Sequence, residues 1–146
     1  MRKADISTFF IQSKIENWLK LQKKLYNFTK KNSISNKNMN KICLACEEIF
    51  VNICKYSQNK FNDSIEINII LEYNKIKIIF KYSGIKFDPL DHEIQQKTEK
   101  ELKKNVENRQ IGGMGIRIIK KIMDEIKYER KNGENYFFIF LDLEGD

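Results

Sequence analysis

Two stretches in which apolar and polar residues alternate most constrain the fold of this 146-residue chain. A period of two places successive side chains on opposite faces of a strand. The first stretch, with a turn predicted at Asn74 and Lys75, therefore predicts a β-hairpin that presents one face to the core. Its core-facing residues are Ile65, Ile67, Ile69, Leu71, Ile76, Ile78 and Phe80.

The second stretch contains Asn132 and Gly133, a residue pair that favours tight hairpin turns. Residues 126–130 alternate as a strand would, whereas residues 136–143 form an almost continuous apolar run. Such a run is typical of a strand that is buried on both faces. The sequence thus predicts a second hairpin after the first.

Three segments show the apolar period of helices. The first follows a strand at residues 6–12 and is predicted to run from Ser13, as its N-cap, to about Lys31. The second runs from about Lys37 to Ser57, and the third follows a glycine-rich run. This pattern predicts an α+β two-layer sandwich, with helices on one face of a mixed, mostly antiparallel sheet. We expect a single domain over residues 1–146.

The composition argues against several function classes. No apolar run approaches the ~20 residues of a membrane span, and the N-terminal sequence does not have the pattern of a secretory signal. We therefore predict a cytoplasmic protein with no membrane partner. The net charge is +7, but the lysines are scattered rather than clustered, which predicts no direct nucleic-acid binding.

The three cysteines, Cys43, Cys46 and Cys54, lie on one stripe of the second predicted helix. A zinc site would need a fourth ligand, and the only histidine, His92, lies far along the chain. We therefore predict buried, reduced thiols.

Three glycines, Gly112, Gly113 and Gly115, lead directly into the third helix. Glycine backbones can converge on an anion, and a helix N-terminus carries a positive dipole end. This predicts a phosphate site, although a tight connection alone would also explain the glycines. The preceding residues 91–111 are highly polar and are predicted to be a mobile lid or an inserted segment.

Three polar residues of the second helix, Glu48, Asn52 and Lys55, are spaced as neighbours on one side of it. Taken without further context, this spacing favours an ordinary solvated face. Residues 47–56, 82–90 and 112–118 together, however, resemble three motifs of one family. They are similar to the E-x-x-x-N box and the two glycine boxes of the anti-sigma-factor serine-protein kinases, which belong to the Bergerat-type, histidine-kinase-like ATPases.

The resemblance implies an ATP site with Mg²⁺. By resemblance, Asn52 would hold Mg²⁺ through its side-chain oxygen, Glu48 would be the general base, and Lys55 would reach the phosphates. A hard cation prefers oxygen ligands, and a carboxylate one helical turn away could accept the proton of an attacking hydroxyl. The remaining positions implied to contact the nucleotide are Tyr82, Gly84, Gly112, Gly113, Met114, Gly115 and Ile116.

One position departs from the family pattern. Tyr82 stands where the family has the aspartate that pairs with the adenine amino group. A phenol can accept a hydrogen bond, but loss of a charge-assisted bond costs about 1.5–3 kcal/mol. Lys86 also replaces the usual proline of this box.

The resemblance implies a kinase that phosphorylates a serine of an anti-sigma antagonist protein while it sequesters a sigma factor. It is also compatible with a homodimer. Because of Tyr82, a second hypothesis is a non-catalytic regulatory module that binds proteins and has a degenerate nucleotide site. A stand-alone fragment of a histidine kinase is a third hypothesis, which the lack of a phospho-acceptor histidine domain disfavours.

Overall fold

The computed structural model describes residues 3–57, 63–90 and 114–143. The helices are α1 (Trp18–Lys31), α2 (Asn36–Tyr56) and α3 (Met114–Ile122), and a short 3₁₀ helix (Ile15–Asn17) precedes α1. The strands are β1 (Asp5–Gln12), β2 (Ser64–Glu72), β3 (Lys75–Tyr82), β4 (Glu125–Lys131) and β5 (Glu134–Asp142).

The strands form one sheet in the order β1-β2-β3-β5-β4, and each of these pairings is antiparallel. The first hairpin turns at Tyr73 and Asn74, which have φ values of 51° and 61°. Lys75 is instead the first residue of β3 and pairs with Glu72. The prediction that the turn includes Lys75 was therefore wrong by one residue.

One face of the sheet packs against the helices and forms the core. Alternate residues of β2, β3 and β5 point to this face and are buried. Leu21 and Leu25 of α1 and Ile49 and Ile53 of α2 are buried against them. Apolar burial of this kind is the main driving force for the two layers. The predicted α+β sandwich is confirmed, and within the described residues its sheet is wholly antiparallel.

The start of the first helix differs from the prediction. Ser13 does not cap a helix: Lys14 is the N-cap of the 3₁₀ helix, and the Ser13 hydroxyl donates a 3.8 Å hydrogen bond to the Cys54 sulfur. The 3₁₀ helix comes next, and α1 begins only at Trp18. The sequence pattern did not show that Ser13 lies next to Cys54 of α2.

The outer face of the sheet explains the apolar run in β5. Tyr136, Phe138 and Phe140 are half-buried there and stack with centroid distances of 6.5 Å. The ammonium groups of Lys77 and Lys127 lie 5.6 and 5.7 Å from the centre of the Phe138 ring. The prediction that β5 is buried on both faces was wrong, because lysine side chains and not a second layer cover these rings.

All three cysteines are free thiols, as predicted, but Cys43 and Cys54 are only half-buried, so the prediction of burial was wrong for these two. Cys46 is fully buried, and burial raises the pKa of Cys43 and of Cys54 to about 11. The part of the chain that the structure describes contains no group of three or more His, Cys, Asp or Glu side chains that could hold a metal ion. Among the described helices, none has the length and apolar character needed to cross a membrane.

Candidate functional site

Helix α2 carries the first group of predicted site residues and lies in the middle of the helical layer. Ser35 caps its N-terminus by accepting a hydrogen bond from the Asn38 backbone N–H. The helix packs against both α1 and α3 as well as facing the sheet. Burial therefore extends around most of its circumference, including positions that the sequence pattern assigned to a polar side.

Glu48 is one of these positions, with only 7% of its surface exposed. Its Oε2 atom is buried and has no hydrogen-bond partner within the described residues. Burial raises the pKa of Glu48 to about 7, the negative charge of Glu47 adds to this rise, and Lys55 opposes it. The carboxyl group of Glu48 therefore changes its protonation state near neutral pH.

Asn52 lies one helical turn further on and is 3% exposed. Its side-chain Nδ2 donates a hydrogen bond of 2.8 Å to the backbone carbonyl of Glu48. The helix thus engages the amide nitrogen and not the amide oxygen, which is the atom a hard cation requires. Lys55 is exposed. The solvated-face interpretation is wrong for Glu48 and Asn52, which are both buried.

Tyr82, the last residue of β3, is 1% exposed. Its hydroxyl donates a 2.7 Å hydrogen bond to the backbone carbonyl of Phe87, and the two rings meet edge to face at 6.4 Å. Burial raises the pKa of this phenol well above its ordinary value. The Tyr82 hydroxyl is therefore neutral, and its proton is held in a hydrogen bond to the Phe87 carbonyl.

Asn135 of β5 holds the loop that follows Tyr82, and its side chain is fully buried. Its Oδ1 accepts hydrogen bonds from the Phe87 backbone N–H, at 3.1 Å, and from the Tyr128 hydroxyl. Its Nδ2 donates to the carbonyls of Tyr82, at 3.2 Å, and Ile85, at 3.0 Å. One amide side chain thus connects β3, β4, β5 and the loop at 83–90.

The sequence analysis missed the role of Asn135. Its signal is an asparagine at a core-facing position of a strand, two residues after a hairpin glycine. A buried amide needs several partners, so such a position indicates a polar hub. Its partners in the loop lie about 50 residues away in sequence, which local patterns do not show.

Gly84 lies in the same loop with φ 102°, a conformation that favours glycine. Its carbonyl accepts a 3.1 Å hydrogen bond from Arg130. The loop also joins the end of α2, because the Ile85 N–H donates to the Ser57 carbonyl at 3.0 Å and the Tyr56 ring lies 5.8 Å from that of Phe87. The loop and the C-terminal end of α2 therefore form one connected region.

The other predicted residues are described only in part. Gly112, Gly113 and the predicted lid at 91–111 lie outside the described residues. Met114 begins α3, whose next two residues are Gly115 and Ile116. The helix predicted after the glycine-rich run is confirmed.

An amide oxygen such as that of Asn52 suits a hard cation, and a carboxyl group such as that of Glu48 suits a proton acceptor. A buried carboxylate oxygen without a partner costs free energy unless a ligand or a proton satisfies it. Tyr82 brings no carboxylate to the position where the resemblance implies an adenine-binding aspartate, and its hydroxyl donates to the Phe87 carbonyl.

Comparisons with known proteins agree with the fold. A family model described as histidine kinase-like ATPase domain matches residues 11–137. No curated protein matches the sequence at a significant level.

Among solved structures, the fold is similar to that of the RsbU and RsbW domains of Rv1364c from Mycobacterium tuberculosis. The TM-score is 0.69 at 9% identity, over 95% of this chain and 32% of that one, so this chain spans about a third of its length. It is also similar to a chain of the SiaB-SiaC complex from Pseudomonas aeruginosa, with a TM-score of 0.58 at 10% identity, over 92% of this chain and 88% of that one.

Proposed function

This chain belongs to the family of histidine kinase-like ATPase domains, and we propose that it is a regulatory serine-protein kinase that binds ATP with Mg²⁺. It phosphorylates a serine of an anti-sigma antagonist protein and, in a second role, sequesters a sigma factor. A fold hosts many functions, so the proposal depends on the site and not on the family alone.

The observation that carries the proposal is the buried Glu48 carboxyl group with its unpartnered Oε2 atom. A general base works best when its pKa lies near the working pH, and the pKa of Glu48 is raised to about 7. A purely structural glutamate would have its oxygens satisfied by the protein. Glu48 is therefore assigned as the group that accepts the proton of the substrate serine hydroxyl.

Asn52 is assigned to the metal through its amide oxygen, because its Nδ2 is held by the Glu48 carbonyl. Mg²⁺ bound with ATP supplies positive charge to the phosphates. Gly84 and the proposed phosphate-facing positions at 112–116 complete the nucleotide contacts, and the segment at 91–111 is proposed to close over them.

Protein partners are part of the proposal. The solved structures with similar folds include a domain pair and a complex of two proteins. We extend this kind of assembly to the present chain, with the antagonist and the sigma factor as partners. The family resemblance is also compatible with a homodimer.

The test is transfer of labelled phosphate from ATP to a panel of candidate antagonist proteins, with phosphoserine detected by mass spectrometry. Glu48→Gln is expected to reduce transfer by about 100-fold or more while ATP binding changes little. Glu47→Gln is the matched control, since it removes a carboxylate from the adjacent position of the same helix. Equal transfer by wild type and Glu48→Gln would refute the assigned role of Glu48.

A second candidate function is favoured by Tyr82, whose buried hydroxyl is bonded inside the protein. On this alternative, the chain is a non-catalytic regulatory module that binds its partners without nucleotide. Capture of a sigma factor by a protein that gives no calorimetric signal with millimolar Mg-ATP would favour the module over the kinase.

A further inference from the structure

We propose that two copies of this chain pair antiparallel through the outer edges of their β1 strands, with the two Thr8 residues facing each other on a two-fold axis. The two sheets would then form one continuous sheet. This inference goes beyond the proposed function and uses no residue of the proposed nucleotide site, so either can fail without the other.

The two edge strands of the sheet, β1 and β4, differ in how well they are protected against pairing. Charged side chains on an edge strand hinder its pairing with another chain. Most residues of β4 are charged, namely Glu125, Lys127, Glu129, Arg130 and Lys131. In β1, by contrast, Asp5 at the start is the one charged residue, and residues 6–12 carry no charge. The sequence therefore protects the β4 edge and leaves the β1 edge able to pair.

The outer face of β1 carries two large apolar side chains that contact solvent. Ile6 is 63% exposed and Phe10 is 66% exposed. Both lie on the same face as the exposed Thr8, because side chains alternate along a strand, and each is two residues away from it. Single apolar residues on a surface are common. These two lie on an unprotected edge strand, however, so a second strand at this edge would cover both.

The backbone of β1 directs its free groups to the same positions. The Ser13 N–H donates to the Asp63 carbonyl at 3.0 Å, in line with the register of β1 and β2. Since backbone groups alternate in direction along an antiparallel strand, the odd-numbered residues of β1 bond to β2 and the even-numbered ones point to the outer edge. Ile6, Thr8 and Phe10 therefore present both their side chains and their backbone groups to a second strand.

The free part of this edge ends before Gln12, the next even-numbered residue. Its carbonyl accepts hydrogen bonds from the Lys14 N–H at 2.7 Å and from the Asn17 side chain at 3.1 Å. These bonds agree with a Gln12 carbonyl that points away from β2. The edge available for pairing is therefore residues 6–10, which are centred on Thr8.

This centre makes the strand self-complementary. With the two Thr8 residues opposite each other, Ile6 faces Phe10 of the second copy, and two-fold symmetry repeats this contact. Directly opposite side chains lie about 4.5–5.5 Å apart between Cβ atoms, so each exposed apolar residue covers the other. A slip of one residue inverts the faces of the second strand. A slip of two residues no longer places Ile6 opposite Phe10, so the proposed register buries the most apolar surface.

The size of this interface sets its expected strength. Three facing residue pairs that each exchange two backbone hydrogen bonds give about six such bonds. Stable protein–protein interfaces bury about 1,200–2,000 Å² in total, and a pair of strands with about five residues each is smaller than that. We therefore expect a reversible dimer with a dissociation constant of about 10 µM.

The first test is sedimentation equilibrium of the full chain from about 1 to 200 µM. The wild type is expected to change from monomer to dimer over this range. Phe10→Lys adds a charge to the edge and should raise the dissociation constant by at least about tenfold. Tyr73→Lys, at an exposed tyrosine of the first hairpin turn, is the matched control and should leave it unchanged. A wild type that stays monomeric, or a dimer that Phe10→Lys does not weaken, would overturn the inference.

The second test checks the register and does not depend on Phe10→Lys. Facing Cα atoms of a hydrogen-bonded pair are about 5.5 Å apart, within the range of about 4.4–6.8 Å that a disulfide spans. With copper phenanthroline as oxidant, Thr8→Cys should therefore give a covalent dimer on a non-reducing gel. The exposed Gln12→Cys is the control on the same strand, since its two copies would lie roughly 25 Å apart. The wild type, which keeps its three cysteines, gives the background. Equal cross-linking of Thr8→Cys and Gln12→Cys contradicts the register.

Discussion

The two ends of the proposed site handle buried polar groups in opposite ways. Around Asn135 and Tyr82 the side-chain donors and acceptors are paired within the protein. At Glu48, a turn from Asn52, a buried carboxyl oxygen has no partner in the described part of the chain. The first arrangement stabilises the fold, whereas the second costs stability and is typical of a group that acts on a ligand.

The largest expected effect concerns Asn135, whose side chain is fully hydrogen-bonded within the protein. Asn135→Leu removes four hydrogen bonds and leaves buried partners such as the Phe87 N–H and the Tyr82 carbonyl unpaired. We expect the free energy of unfolding to fall by about 3 kcal/mol, because each unsatisfied buried group costs about 1–3 kcal/mol. Urea denaturation measures this change.

The control for this prediction is Asn40→Leu, which makes the same substitution at an exposed position of α2. It should change the free energy of unfolding by less than about 0.5 kcal/mol. An equally small effect of Asn135→Leu would show that the hub does not stabilise the loop.

The second prediction concerns Glu48 and the pH dependence of the protein's stability. The pKa of Glu48 is about 7 in the folded protein against 4.5 for the free side chain. Between these values the unfolded chain has released a proton that the folded chain retains, so stability falls as pH rises from about 4.5 to 7. With allowance for solvent screening, we expect this group to cost about 1–2 kcal/mol at pH 8.

Glu48→Gln should remove this cost, so the variant is expected to be more stable than the wild type at pH 8 and similar to it at pH 4. Thermal or urea unfolding at a series of pH values measures the slope. Glu47→Gln should retain most of the slope. If Glu48→Gln leaves the pH dependence unchanged, the carboxyl group is not held in its neutral form by burial.

The smallest predicted effect concerns the hydroxyl of Tyr82. Tyr82→Phe removes one hydroxyl and leaves the Phe87 carbonyl without its 2.7 Å hydrogen bond. Its expected cost is about 1 kcal/mol in urea denaturation. If the free energy of unfolding is unchanged or higher, Tyr82 stabilises the protein through its ring alone.

Several features could be predicted from local sequence because they depend on residue periodicity and turn chemistry. The two hairpins, the three helices and the α+β class are confirmed. The boundaries of α2, predicted at about Lys37 and Ser57, are Asn36 and Tyr56. The family motifs also indicate Glu48 and Asn52 from the sequence alone, and the roles of these residues stay predictions.

Other features depend on which elements pack together, and local sequence does not determine this. Helix α2 packs against both α1 and α3, and its residues Glu48 and Asn52 are buried. The Ser13 side chain contacts Cys54 instead of capping a helix, and lysines cover the outer rings of β5.

The sequence by itself determined the elements and the motifs that resemble the family, with Tyr82 at the position where the resemblance implies an aspartate. Only the tertiary structure decided which hydrogen bond the Tyr82 side chain makes. Residues about 50 positions apart meet at Asn135, and their hydrogen bonds close the loop around the Tyr82 hydroxyl. The reason is physical: residue type sets which hydrogen bonds a side chain can make, but packing decides which partners it finds and whether water can compete for them.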